Sequence, residues 1–313
     1  ADAEESGDER DKSNERTAMA VLGPAGSGKS TTVQAAVRTA IAHDARVLLV
    51  APTGRLAAGL RDKFPDQDVD TIHGAFQLFK RFEDTVDLMW PYDLVVVEEV
   101  GQLSRATFER LIKLWQATEK TSTLVFVGDF WQLQGVEPTK ALDSPHWHNP
   151  YVLRKRELHV MRRCKCEILK KKLEILRTGK PDVRQLHMIL RGHRAPSAWG
   201  AGHVPEDVPT EDVVRAVLGE TPNTLFLTIS RWACGLLNDL AQNVLFEHAI
   251  PLATIPADPE SNPNNFHGAK MLSNVPSQLV VFANMKVTLT RYENKRVGFV
   301  NGMGATVLGM EHG

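Results

Sequence analysis

The 313-residue sequence has little cysteine, no long apolar run and almost no net charge, and the first two shortages each exclude a class of protein. Three cysteines cannot build the disulfide framework of a secreted domain, so we expect an intracellular, reducing location. No segment has the roughly 18 uninterrupted apolar residues of a membrane-spanning helix, so we expect no membrane partner. A formal net charge of -1 neither supports nor excludes a nucleic-acid partner. Any electrostatic attraction to nucleic acid must therefore come from local basic patches.

The first part of the chain alternates strand-like and helix-like segments. Residues 1–16 contain no apolar side chain larger than alanine, which predicts a solvated tail. Over residues 17–155, helix-length stretches separate four β-branched runs, AMAVLG, RVLLVAP, DLVVVEE and STLVFVGD. Runs that are apolar on both faces are typical of parallel strands covered by helices on two sides. The pattern predicts an α/β domain over residues 17–155.

The second part, residues 156–313, predicts another α/β domain. The pattern indicates a basic amphipathic helix over 163–180, a buried strand over 223–230 and a helix over 231–246. Residues 191–210 and 251–278 are rich in glycine or proline and are expected to be irregular. An Asn301-Gly302 pair between two strand-like runs predicts a hairpin.

A phosphate-binding pattern follows the first strand. The segment GPAGSGKST fits G-x-x-x-x-G-K-[ST] between a strand and a helix, so a plain glycine turn is the weaker alternative. Backbone N–H groups would surround the phosphates, Lys29 would meet the β- and γ-phosphates, and the Ser30 hydroxyl would bind Mg²⁺. The pattern predicts a P-loop NTPase with ATP and Mg²⁺ as cofactors, held by Gly23, Pro24, Ala25, Gly26, Ser27, Gly28, Lys29, Ser30 and Thr31.

Two further strands end in polar side chains suited to hydrolysis. The run LVVV leads into Glu98, which could bind the metal, and Glu99, which could activate water; the alternative is a solvated acidic pair. The run VFVGD leads to Gln132, whose amide could orient water or sense the γ-phosphate, or could belong to an ordinary polar turn. Phe130 and Trp131 could stack on bases, although a place in the core is at least as plausible.

Together these segments resemble the petite-integration-frequency DNA helicases, RecD-like members of helicase superfamily one that include relatives in Helitron-type transposons. GPAGSGKST is similar to their motif I, VLLVAPTGRLAAGL to motif Ia, TIHGAF to the next DNA-contacting motif, VVVEEVGQLSR to motif II and VFVGDFWQL to motif III. LHVMRRCKCEILKKKLEILRTGKP is similar to the arginine-bearing motif IV. The resemblance runs from about residue 18 to residue 309.

The resemblance implies two RecA-like domains with parallel sheets, the second incomplete and opening into a small β-barrel insertion. It implies an ATP-dependent DNA helicase that translocates 5′ to 3′ on single-stranded DNA, acts in repair or recombination, and lies in the nucleus or mitochondrion. Arg162 would be an arginine finger that reaches the γ-phosphate from the second domain when the domains close, with Arg163 as the alternative. The DNA track would include Pro52, Thr53, Gly54, Thr71 and His73. Expected partners are single-stranded DNA or DNA junctions, and a larger parent chain or complex.

The sequence also departs from this family. Glu98 stands where motif II usually has aspartate, and the family's later motifs V and VI have no counterpart before Gly313. The chain is therefore expected to be either a piece of a longer helicase or a degenerate relative kept as a nucleotide-binding structural or regulatory protein. A small-molecule P-loop kinase is disfavoured because the segments GDFWQ, PTGR and TIHG would have no use there.

Overall fold

The computed structural model describes residues 16–120, 122–132, 134–135, 137–191, 210–228, 230–256, 278–289, 299 and 302–310. The chain divides into two compact units: unit 1 comprises residues 1–185 and 290–303, and unit 2 comprises residues 186–289 and 304–313. Most of the predicted tail, most of the predicted loop at 191–210 and the stretch 257–277 lie outside the described residues. No described helix has both the length and the apolar character needed to cross a bilayer.

Unit 1 is an alternation of strands and helices. Its strands are β1 (Ala18–Leu22), β2 (Val47–Ala51), β3 (Asp68–Thr71), β4 (Leu94–Val97), β5 (Thr123–Gly128) and β6 (Leu153–Glu157). Its α-helices are α1 (Lys29–Ile41), α2 (Gly54–Arg61), α3 (Ile72–Ala75), α4 (Arg105–Ala117), α5 (Pro145–His148) and α6 (Glu167–Thr178). Short 3-10 helices cover Glu83–Leu88, Val100–Gln102 and Ala141–Asp143. Helix α7 (Val183–Leu190) spans the division between the units.

The six strands form one parallel sheet in the order β3-β2-β4-β5-β1-β6. Successive strand residues point to opposite faces, so Leu48 and Val50 join one buried cluster while Leu49 joins another. Helix α4 covers the first cluster, and helices α1 and α2 cover the second. The predicted α/β fold with a parallel sheet is confirmed, and all strands place their carboxyl ends at one edge.

The four predicted strands correspond to β1, β2, β4 and β5, whereas β3 and β6 were not predicted. Both are edge strands with charged residues, DVDT and LRKRE, and lack the continuous apolar run of a strand buried on two faces. Unit 1 extends past the predicted boundary at residue 155, because β6 pairs with β1 along its whole length. The predicted helix at 163–180 begins later, at Glu167.

Unit 2 contains α8 (Glu211–Glu220) and α9 (Arg231–Leu245), which pack through Val214, Leu218 and Leu237. Strand β7 (Ala253–Pro256) pairs antiparallel with β8 (Gln278–Val281), and β9 (Lys286–Thr288) with β10 (Gly304–Thr306). The predicted helix at 231–246 is confirmed, as is the pairing of the two strand-like runs that contain β9 and β10. Asn301, in the predicted hairpin turn, lies outside the described residues. The second RecA-like domain and the β-barrel insertion stay predictions.

Two predictions for unit 2 were wrong. Residues 224–228, inside the predicted buried strand 223–230, form neither strand nor helix. Leu225 and Leu227 are 81% and 89% exposed, and no described strand of the unit pairs with this segment. The region expected to be irregular, 251–278, contains strand β7. The strand was not predicted because the segment is rich in proline, which is uncommon within strands.

Candidate functional site

A glycine-rich loop joins β1 to α1 at the carboxyl edge of the sheet. Gly23, Gly26 and Gly28 have φ of 146°, 74° and 101°, a region that residues with a Cβ rarely adopt. Gly28 is the N-cap of α1 and offers no side-chain hydrogen bond to the first turn. The positive end of the α1 dipole therefore faces this loop without a protein carboxylate or hydroxyl as cap, which is the arrangement that binds phosphate.

Lys29 begins α1 and folds back over the loop. Its Nζ donates to the backbone oxygens of Gly23 at 2.6 Å and Pro24 at 3.0 Å. Burial lowers the pKa of Lys29, and the nearby Asp129 and Glu99 carboxylates partly oppose this effect. A cation so placed would exchange two neutral carbonyl acceptors for anionic phosphate oxygens, which bind it more strongly.

The remaining loop residues divide into buried and exposed members. Pro24 and Ser27 are buried, and the Ser27 hydroxyl has no hydrogen-bond partner among the described residues. Ala25 at the loop tip and Ser30 and Thr31 in the first turn of α1 are exposed. The two hydroxyls therefore lie where a nucleotide and its metal could reach them.

The acidic pair lies directly after β4. Burial, and secondarily the neighbouring Glu99 carboxylate, raises the pKa of Glu98 to about 7. Burial also raises the pKa of Glu99, against the opposing effect of the Lys29 ammonium. Glu99 has φ 54° and ψ 48°, a left-handed conformation that is uncommon for a residue with a side chain. The predicted pair is thus half-buried beside Lys29 and is not a solvated acidic turn.

Gln132 lies in a hydrogen-bonded turn after β5. Its Nε2 donates to Asp129 Oδ2 at 3.2 Å, and the Trp131 backbone N–H donates to Asp129 Oδ1 at 3.1 Å. Arg177, from the last turn of α6, donates to the same Oδ2 at 2.5 Å. The sequence pattern assigned no role to Asp129 or Arg177. Asp129 could have been suspected, since it ends a strand at the same edge as Glu98, whereas nothing local distinguishes Arg177 from a solvated arginine.

Arg162 and Arg163 lie against the phosphate loop within unit 1, so the expectation that the finger reaches the loop from a second domain was wrong. Their backbone N–H groups donate to the Gly26 carbonyl oxygen at 2.8 and 3.0 Å. A Cβ added at Gly26 would meet the Cβ of Arg163 at 2.6 Å. Both arginines line a cavity of about 510 Å³ whose walls also include Gly26, Ser27, Gly28, Thr31, Thr32 and Leu158. Arg162, the predicted arginine finger, and its alternative Arg163 therefore line the same cavity as the phosphate loop.

The candidate DNA-contacting residues follow two adjacent strands. Thr71 is the last residue of β3 and pairs with Ala51, the last residue of β2. Thr53 lies two residues after Ala51. Thr53 is the exposed N-cap of α2, and Thr71 is the buried N-cap of α3, with its hydroxyl accepting from the Gly74 N–H at 3.1 Å.

The other three candidates share this edge. Pro52 is half-buried, Gly54 is buried and His73 is exposed. The structure thus brings all five candidates to one edge of the sheet, where Thr53 and His73 are the accessible side chains and the remaining positions could contact DNA chiefly through their backbone.

The two aromatic residues after β5 have opposite environments. Phe130 packs edge-on against Trp147, with ring centroids 4.8 Å apart. This is the place in the core that was the alternative to base stacking for this residue. Trp131 is 63% exposed and so does not share that place in the core. Of the pair, Trp131 is the side chain able to stack on a base.

A family model described as an AAA domain matches residues 11–194, more than half of the chain. Among curated proteins, mouse DNA helicase B is 33% identical over 103 residues, a match that covers 31% of this chain and 10% of that protein.

The solved structures that share the fold include two of Pif1 helicases. The Pif1 helicase from Candida albicans has a TM-score of 0.59 and 18% identity, over 93% of this chain and 65% of that one. The Bacteroides Pif1 helicase in complex with ADP-AlF3 and single-stranded DNA has a TM-score of 0.58 and 15% identity, over 96% of this chain and 68% of that one. The chain thus spans about two thirds of these helicases and matches a tenth of the mouse protein.

Proposed function

The chain belongs to the AAA domain family, and from that membership and the geometry of unit 1 we propose that it is the motor part of an ATP-dependent DNA helicase. ATP hydrolysis would drive translocation on single-stranded DNA, in the 5′-to-3′ direction by the resemblance of its motifs. The structural likeness to Pif1 helicases supports the fold on which this proposal depends.

One observation carries the proposal. The phosphate loop, the Glu98-Glu99 pair and the Asp129-Gln132 turn follow β1, β4 and β5, and these strands are neighbours in the sheet. Lys29 lies close enough to Asp129, Glu99 and Glu98 for each of them to affect its pKa. A cation for the phosphates, a base and an amide therefore meet at one edge, as hydrolysis of a triphosphate requires.

The residues present fit ATP and Mg²⁺. Three left-handed glycines and an uncapped helix end suit a polyphosphate, and the exposed Ser30 hydroxyl and the Glu98 carboxylate are hard oxygen ligands that Mg²⁺ prefers. The metal, when bound, would neutralise charge on the β- and γ-phosphate oxygens. Segment 23–31 would hold the nucleotide, and the cavity beside Thr31 and Arg162 is large enough for part of it.

The protein's own groups would divide the work as follows. Lys29 would leave the Gly23 and Pro24 carbonyls and bind phosphate oxygens. Glu99 would accept a proton from the attacking water, and the raised pKa of its half-buried carboxylate makes it a stronger base. Gln132 would orient that water, and Arg162, with Arg163 as the alternative, would stabilise charge on the γ-phosphate.

DNA would lie across the carboxyl ends of β2 and β3. The exposed Thr53 hydroxyl and His73 imidazole could donate to phosphates, which would give binding without sequence preference. Exposed Trp131, after β5, could add stacking on a base. Single-stranded DNA or a DNA junction is therefore the proposed partner.

ATP hydrolysis measured with and without single-stranded DNA tests the proposal, with Lys29→Ala as the inactive control. We expect DNA to stimulate the wild-type rate. Lys29→Ala should abolish turnover while leaving the melting temperature within a few degrees, since the hydrogen bonds of the Lys29 side chain go to the loop's own carbonyls. DNA-stimulated hydrolysis that survives Lys29→Ala would refute the assignment. Forked substrates with a 5′ or a 3′ single-stranded tail would decide the polarity.

Glu98 favours one alternative, a nucleotide-binding protein that has weakened or lost turnover. Its side chain is one methylene longer than the aspartate of related motors, and its pKa of about 7 leaves the carboxylate partly protonated near neutral pH. Tight binding of ATP without hydrolysis, with or without DNA, would support this alternative. Restoration of turnover by Glu98→Asp would tie the loss to that position.

A further inference from the structure

Arg177 joins helix α6 to the end of β5 through a buried ion pair. Its Nη1 lies 2.5 Å from Asp129 Oδ2, and the two side chains are 20% and 2% exposed. Leaving a buried carboxylate without a counter-charge is strongly destabilising, and Arg177 is the cation that pairs with Asp129 here. Arg177 therefore determines whether this carboxylate keeps its position.

The Asp129 carboxylate in turn determines how Gln132 is oriented. Oδ2 accepts from Gln132 Nε2 at 3.2 Å as well as from Arg177, and Oδ1 accepts from the Trp131 backbone N–H at 3.1 Å. An ionised carboxylate can only accept hydrogen bonds, so it must face the NH₂ end of the amide. The carbonyl oxygen of Gln132 is then left as an acceptor for another group.

We propose that Arg177 is a positioning residue for hydrolysis, which holds the Asp129 carboxylate so that Gln132 presents its carbonyl oxygen to the attacking water. The proposal rests on the proposed function, since it assigns Arg177 to the same phosphate site. Proximity supports it: Arg177 lies close enough to Lys29 to lower the pKa of that ammonium. Without the guanidinium, the Asp129 carboxylate would lose the ion pair that fixes it, and the Gln132 amide would lose the fixed acceptor that sets its orientation.

The test compares Arg177→Gln, Gln132→Ala and the double variant in the full chain. We expect Arg177→Gln to lower kcat for ATP about tenfold to a hundredfold, by analogy with supporting residues behind metal ligands. KM should stay within about threefold, because the residue acts on the chemical step and not on ground-state binding. The double variant should be no more than about twofold slower than the slower single variant, since both changes remove one function.

Two further variants separate positioning from a structural role. Arg177→Lys keeps the charge and should recover part of kcat, whereas Lys171→Gln, an exposed position on the same helix, should change neither kcat nor the melting temperature. A lower melting temperature with unchanged kcat in Arg177→Gln would overturn the proposal, as would effects of Arg177→Gln and Gln132→Ala that multiply in the double variant.

A second readout keeps this inference distinct from the proposed function. If the wild type binds nucleotide but does not hydrolyse ATP, the helicase proposal fails, and the affinities for ADP and for ADP with aluminium fluoride decide the role of Arg177. Weaker binding of the aluminium fluoride complex to Arg177→Gln, with ADP affinity unchanged, supports positioning. Equal losses for both ligands, or no nucleotide binding by the wild type, would overturn it.

Discussion

Replacing Glu98 with glutamine tests the electrostatics at the end of β4 without any assumption about activity. Burial and the neighbouring Glu99 raise the pKa of Glu98 from 4.5 to about 7. Well below pH 4.5 the carboxyl is neutral in both the folded and the unfolded chain. As the pH rises towards 7, the unfolded chain ionises freely while the folded protein resists, so the free energy of unfolding falls across this range and levels off above it.

The size of the effect follows from the pKa. Each unit by which folding raises a pKa corresponds to about 1.4 kcal/mol, so a rise from 4.5 to about 7 destabilises the folded protein by about 3 kcal/mol above pH 7. Glutamine has nearly the same shape and carries no charge at any pH. Glu98→Gln should therefore match the wild type near pH 4.5 and exceed its stability by up to about 3 kcal/mol at pH 8, without nucleotide or metal present.

Urea unfolding between pH 4.5 and 9, followed by tryptophan fluorescence, measures this difference, because Trp115 and Trp147 are buried in unit 1. Glu83→Gln, at an exposed position of the same unit, is the matched control and should change stability little at any pH. A stability difference between Glu98→Gln and the wild type that does not vary with pH would refute the reasoning. Greater stability of the wild type at pH 8 would refute it as well.

Two further predictions concern packing. Gly26→Ala should weaken ATP binding by at least about tenfold in a nucleotide titration, because its Cβ would meet Arg163 at 2.6 Å and its φ is 74°. The control is Gly59→Ala, since a Cβ there meets nothing within 4 Å. It should leave the ATP affinity unchanged and add up to about 1 kcal/mol to the free energy of unfolding. Trp131→Ala should weaken binding of single-stranded DNA by about 1 to 3 kcal/mol with little change in melting temperature, whereas Trp147→Ala should cost about 3 to 5 kcal/mol in urea unfolding. Equal thermal stability of the two tryptophan variants, or unchanged DNA affinity in Trp131→Ala, would contradict the second prediction.

The central strands could be predicted from the sequence because their environment leaves a local pattern. β2 is buried at every position, and β4 is buried at all but its first, so both read as continuous apolar runs. The edge strands β3 and β6 carry charged residues that face solvent and form part of the sheet only because a central strand pairs with them. Conversely, segment 224–228 has the composition of a buried strand but no described strand beside it in unit 2, so its leucines remain exposed.

The same distinction separates the parts of the candidate site that the sequence predicted from the part that it did not. Lys29, Glu98 and Gln132 each follow a predicted strand, and parallel strands bring their carboxyl ends to one edge, so the sequence alone implies their convergence. Arg177 reaches this edge from a helix 48 residues beyond Asp129, through packing that no local pattern encodes. If Arg177 positions Gln132 as proposed, the hydrolytic site depends on where α6 docks, and a change in the packing of that helix would alter turnover without touching any residue of the phosphate loop.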